Sequence, residues 1–143
     1  MVAAFRYLLL FCVCAILISS GCKKNSGGSG GGGGGGTSEA NLTVVTNPPV
    51  GSVQLPSLGP FDLTVTITSV MPPSGVKIEV TAKKDDGTNP PPFFSQTVNT
   101  STATTIFSIT NTPLLTQCIV EIKVTSLTKS TNTWTGSYRY SRK

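Results

Sequence analysis

The side chains best able to do chemistry in this 143-residue chain are four cysteines, a few carboxylates and a group of aromatics. Cys12, Cys14, Cys22 and Cys118 suggest two disulfides until they are placed. The first two lie inside an apolar N-terminal run, Cys22 follows that run directly, and only Cys118 belongs to the rest of the chain. No disulfide can therefore form within that remainder. The chain has no histidine, which removes imidazole-activated nucleophiles and imidazole zinc sites, and most hydrolase chemistry with them. A reactive thiol needs exposure and a cationic neighbour. Cys118 instead alternates in phase with Val120 and Ile122, the pattern of a small buried hydrophobe.

Glu79 and Glu121 could mimic a glycosidase pair, which needs about 5–9 Å of separation and a cleft that tunes the two carboxyls apart. Each alternates with lysine, as Lys77 and Lys123, which reads as solvated charge on an open face. Asp85, Asp86 and Asn89 bring three oxygen side chains into one loop, the ligand type that calcium prefers. With Gly87 between them they read as a turn. No catalytic residue, metal ligand or cofactor is assigned, and the chain is expected not to be an enzyme. The aromatics are more suggestive. Trp134, Tyr138 and Tyr140 share one face of an alternating segment and are expected in the core. Phe93 and Phe94 follow Pro90-Pro91-Pro92, a loop that must run over the surface, and adjacent strand residues point to opposite faces. Phe93, Phe94 and Trp134 are thus the candidate ligand contacts, able to stack on a sugar ring or anchor a protein partner.

The elements that position these groups read as strands throughout. From residue 41 onward threonine, valine and isoleucine dominate, and no stretch sustains the i, i+3, i+4 apolar spacing of a helix. β-Branched side chains are stiff at χ1 and pack well on a pleated surface. Alternation and Pro/Gly punctuation predict strands over residues 42–46, 61–70, 76–84, 93–100, 104–110, 117–127 and 133–141, with a short piece near 53–55. In the third, Val76, Ile78, Val80 and Ala82 face inward; in the sixth, Cys118, Val120, Ile122 and Val124 do, while Ile119 breaks the polarity of the outer face.

Charge limits the partners. Residues 41–143 carry eight Lys/Arg and five Asp/Glu, so 8 − 5 = +3, and most of these charges alternate in sign. Only Arg139, Arg142 and Lys143 cluster, and nucleic-acid binding, which requires a contiguous positive patch, is not expected.

Residues 1–21 read as a secretory signal: Arg6 supplies the positive start, Leu8 to Ile18 is unbroken apolar chain, and Ser19-Ser20-Gly21 are small. Eleven helical residues rise only about 16 Å, short of a hydrocarbon core about 30 Å thick. The run Ile18-Ser19-Ser20-Gly21-Cys22 resembles the lipobox of bacterial lipoproteins, with Ser19 where leucine is usual. The resemblance implies cleavage before Cys22, lipidation of its sulfur and attachment to a membrane. In such lipoproteins an aspartate just after the cysteine tends to retain the protein at the inner membrane, so with Lys23 in that place the resemblance implies the outer membrane of the cell envelope. Residues 22–40 then form a Gly/Ser-rich linker, nine of whose glycines fall between positions 27 and 36. Such a linker is expected to be flexible and disordered, with a typical reach of roughly 22–26 Å. The formal G-x-G-x-x-G matches there have no strand before them or helix after them and carry no nucleotide-binding meaning.

The third domain assignment, residues 41–143, is one domain's worth of chain. About seven strands with one apolar face each bury that face by pairing two antiparallel sheets. The order resembles an immunoglobulin-like or fibronectin type III-like sandwich, without the Cys…Trp…Cys signature. A jelly roll or small barrel is the alternative closure. If the third and sixth strands pair, Lys77 should approach Glu121, or Glu79 should approach Lys123. The expected whole is a lipid-anchored envelope protein that presents an all-β, Ig-like domain as a binding or structural module. Its alternatives are a glycan-binding accessory lipoprotein and a scaffolding subunit of an envelope complex, and its expected partner is an envelope protein or glycan.

Overall fold

The computed structural model describes residues 38–143. The expected signal segment, the expected lipidation site at Cys22 and nearly all of the expected linker lie outside the described residues. Seven strands follow in order: β1 (Val44–Asn47), β2 (Phe61–Ile67), β3 (Val76–Lys84), β4 (Phe94–Thr100), β5 (Thr104–Ile109), β6 (Gln117–Ser126) and β7 (Thr133–Ser141). In β2 and β3 the apolar positions fall on every second residue, and burial repeats that period: along β3 the residues alternate buried and half-buried for eight positions. β3 and β7 begin and end where the sequence pattern places them. The predicted second strand stops at Ile67, three residues early, because Thr68 and Ser69 turn to donate to the carbonyl of Thr43.

The strands form two antiparallel sheets, β1-β2-β5 and β4-β3-β6-β7, with one core between them. This is the expected all-β sandwich. Relative to the constant-type immunoglobulin arrangement, the fourth strand extends the sheet at β3 instead of the sheet at β5. Leu63, Val65 and Phe107 from one sheet meet Ile78, Val80, Val120, Ile122 and Val124 from the other, all at 2% exposure or less. Each such side chain contributes roughly 1.5–3 kcal/mol by leaving water. Cys118 is one of them and is fully buried.

The β3–β6 register sets Glu79 opposite Lys123, as the alternating charges suggest. The ion pairs that form are nevertheless Lys77–Glu79 at 3.1 Å and Lys83–Glu121 at 3.0 Å. Lys83 is the diagonal neighbour of Glu121, within reach of a long side chain on a pleated pair. Ile119 sits between Lys83 and Arg139 across the strands, where the methylene stems of two cations can cover it.

The domain has two poles. At the proximal pole, where residue 38 leads in, Glu39 and Ala40 are fastened to the β6–β7 turn, although the sequence pattern puts them in the linker. Ser126 Oγ donates to Glu39 Oε2, and Asn132 Nδ2 donates to Glu39 Oε1 and to the Ala40 carbonyl. Asn132 Oδ1 accepts from the Leu42 amide at 3.0 Å. Gly75, also at this pole, has φ +79°, and a Cβ there would lie 2.5 Å from the carbonyl oxygen of Thr100. Glycine is needed on both counts. The distal pole gathers the β1–β2 connection, the β5–β6 connection and the chain end after β7.

Candidate binding surface

The distal pole is built by a strap. Between β1 and β2 the chain is bounded by two cis prolyl bonds, Asn47–Pro48 and Gly59–Pro60, and residues 51–57 run alongside β7. Gly51, Gln54 and Ser57 donate their amides to the carbonyls of Ser137, Arg139 and Ser141, and the amides of Arg139 and Lys143 donate back to Ser52 and Ser57. The piece near 53–55 that reads as a short strand is therefore a parallel addition to the edge of β7, with isolated bridges Val53–Arg139 and Ser57–Arg142. On the other side of the chain end, the Leu115 amide donates to Arg142.

Fastening the strap by its backbone leaves its side chains outward. Leu55 and Leu115 are both 88% exposed, and Val53, Leu58 and Leu114 also face solvent. Single exposed leucines are ordinary, whereas a cluster marks a binding surface. Between Leu55 on the strap and Leu115 on the β5–β6 connection runs an open groove of about 550 Å³, with Tyr140 and Arg142 also lining it. Two more concavities, each of about 320 Å³, adjoin the same strap, one beside Leu58, Asn111 and Arg142, the other beside Leu55, Asp62 and Tyr138. Volumes of this order suit a small ligand or a few side chains of a partner.

The pole is held rigid from beneath. The Phe61 and Tyr140 rings pack in a tilted arrangement, 50° between planes and 4.7 Å between centroids, and the Tyr140 hydroxyl and Thr112 Oγ1 share a hydrogen bond of 2.8 Å. Arg142 donates to the Thr112 carbonyl at 3.0 Å, and Arg139 is paired with Asp85 at 2.6 Å. Burial pushes the Tyr140 hydroxyl up to about 12, against the pull of the Thr112 hydrogen bond, and holds Tyr138 higher still. Burial likewise raises the Cys118 thiol. These three groups are held in their neutral forms, and the pole offers apolar contact, hydrogen bonds, the cation of Arg142 and the carboxylate of Asp62.

The residues singled out by sequence are placed as follows. Phe93, Phe94 and Trp134 are half-buried and pack against the core. Phe94 lies in register with Ala82, Val120 and Tyr138, and Trp134 with Val124, Ile78 and Val98. The two therefore sit at opposite edges of the four-stranded sheet, about 20 Å apart by strand spacing and rise. Both lie on its inner face with the core between them, so the three aromatics do not form one platform. Tyr138 and Tyr140 are in the core as expected. Gly136, between Trp134 and Tyr138, has no room for a side chain: a Cβ would lie 2.4 Å from Val50 and 2.6 Å from the Trp134 ring.

Glu79 and Glu121 lie on an open sheet face, each paired with lysine. In the Asp85–Asn89 loop each of the three side chains has one oxygen engaged: Asp85 Oδ2 by Arg139, Asp86 Oδ1 by the amide and hydroxyl of Thr88, and Asn89 Oδ1 by Lys83. The Thr88 hydrogen bonds lower the Asp86 pKa. The strap leucines were missed because their segment lacks a periodic pattern. The signal present was four apolar residues, Val50, Val53, Leu55 and Leu58, interspersed with Gly, Ser and Pro in what should be a polar loop. No known protein family, curated protein or solved structure matches this chain, so its residues and their geometry carry the functional reading alone.

Proposed function

We propose that the protein is a lipid-anchored module of the bacterial cell envelope that binds a partner protein through the apolar distal pole of its sandwich. The observation that carries the binding half is the concentration of exposed Val53, Leu55, Leu58, Leu114 and Leu115 around three adjoining grooves. The anchoring half rests on the lipobox-like run ending at Cys22, and outer-membrane placement on Lys23 after it. A diacylglyceryl cysteine holds stably because each buried methylene contributes about 0.8 kcal/mol and two chains act together. The described chain begins at the proximal pole, so the leucines lie at the far end of strands about 30 Å long. An anchored domain would then present its apolar pole away from its point of attachment.

Mass spectrometry of the mature wild-type protein beside Cys22→Ser tests the anchor. The wild type should begin at Cys22 and carry acyl mass, and the variant should not. Recovery of unlipidated wild type from culture fluid overturns the anchoring. A photo-crosslinking residue at position 115 should give a discrete envelope adduct that the same residue at Leu127, on the proximal pole, does not. Equal labelling from both positions overturns the binding pole.

A further inference from the structure

Arg142 is the residue shared by the groove between Leu55 and Leu115 and the concavity beside Leu58. Its backbone is clasped from two sides, by the strap at Ser57 and by the β5–β6 connection at Leu114, so the side chain leaves from a fixed point between the two leucine-bearing loops. The residue is half-buried and donates from one nitrogen to the Thr112 carbonyl. A guanidinium forks several N–H donors, and an arginine sheltered from water is ordinarily paired with an anion. Among the described residues Arg142 has no such partner: the ion pairs are Lys77–Glu79, Lys83–Glu121 and Arg139–Asp85. No Asp or Glu side chain lines either hollow, and Asp62 belongs to the third, which Arg142 does not line. The pole thus sets an unpaired planar cation at the junction of two hollows, each of which exposes leucine.

We infer, on the reading of this pole as the binding surface, that the partner protein presents an Asp or Glu carboxylate to Arg142, with an apolar side chain on either side of that acid, one seated in each hollow. Charge complementarity selects the acid, because a guanidinium fork takes a carboxylate through two parallel N–H···O bonds. The hollows, of about 550 and about 320 Å³, have room for single apolar side chains. Covering the leucines also excludes water from the ion pair, which then contributes more than a pair on an open surface. The same two hollows select a polypeptide over an anionic lipid. A phosphate headgroup carries its acyl chains on one side, whereas an extended segment carries side chains on both sides of an acid.

The test uses the full chain in its own membrane, with the photo-crosslinking residue at position 115. Arg142→Gln, which keeps an N–H for the Thr112 carbonyl, should lower the adduct yield at least about tenfold, the scale of a lost hydrogen bond to a charged group. Arg142→Lys should lower it less, since it keeps the charge without the fork. Mass spectrometry of the adduct should place the cross-link beside an Asp or Glu of the partner, and replacing that acid by its amide should lower the yield from the chain with Arg142 intact to the same degree. An adduct undiminished by Arg142→Gln but abolished by Leu55→Ser with Leu58→Ser overturns the carboxylate and leaves the binding pole standing. Absence of an adduct, or equal adducts from positions 115 and 127, overturns both. A lipid adduct, or a partner whose acid can be replaced without effect, also overturns the inference.

Discussion

The two poles of the domain bury and expose opposite kinds of side chain. At the proximal pole polar side chains turn inward: Asn132 is buried, Ser126 is buried, and both hold the carboxylate of Glu39. At the distal pole apolar side chains turn outward while polar ones, such as Thr112, are buried beneath them. The proximal pole exposes Val70 and Leu127 singly, whereas the distal pole gathers Val53, Leu55, Leu58, Leu114 and Leu115 into one cluster. The inversion separates a pole that fastens the chain from one that presents a surface.

The largest effect should come from breaking the fastening. Asn132→Ala strips the Leu42 amide and the Ala40 carbonyl of their partner and should cost about 2 kcal/mol, the scale of leaving buried polar groups unpaired. Denaturant unfolding would show it as a lower midpoint with an unchanged slope. A variant as stable as wild type would mean that the proximal pole is not the fastened one.

An intermediate effect lies under the distal pole and depends on pH. The Tyr140 hydroxyl ordinarily titrates near 10 and is raised to about 12 by folding. Above pH 10 the unfolded chain therefore loses a proton that the folded chain keeps. The stability contributed by this group is complete below about pH 10 and is lost as pH rises towards 12. Tyr138 is shifted in the same direction. The melting temperature should fall along an alkaline limb, and Tyr140→Phe should make that limb shallower while lowering the plateau by loss of the Thr112 hydrogen bond. An unchanged limb would show that the floor of the pole is open to water.

The smallest effect on stability should come from the presented surface itself. Leu55→Ser with Leu115→Ser should change unfolding by within about 0.5 kcal/mol each, as for other exposed positions. With the photo-crosslinking residue at position 115, Leu55→Ser together with Leu58→Ser should abolish its adduct. A loss of several kcal/mol would show the leucines to be structural and erase the contrast between the poles.

Much of the fold was legible because a half-buried strand repeats every two residues and is independent of what lies opposite. The inward set Val76, Ile78, Val80 and Ala82 follows from alternation alone, as does the burial of Cys118. The strap was legible only in part. Its apolar residues follow no period, and its hydrogen bonds go to carbonyls of β7 more than eighty residues away in the chain. The aromatic candidates show the same limit in reverse. Adjacency in sequence suggested opposite faces for Phe93 and Phe94, yet both pack against the core, because β4 begins only at Phe94 and the Phe93 amide still donates to Ala82; nor does anything local say that Trp134 and Phe94 lie at opposite edges of one sheet.

Sequence by itself determined the all-β class, the inward and outward faces of the long strands, and the lack of imidazole or disulfide chemistry within the domain. Each of these depends on residue type and short-range spacing, which the chain carries wherever it folds. Tertiary structure alone decided which edges are covered, where the leucines of two distant loops meet, and that Glu39 joins the domain. Those features arise from pairings between residues far apart along the chain, whose partners no local pattern names.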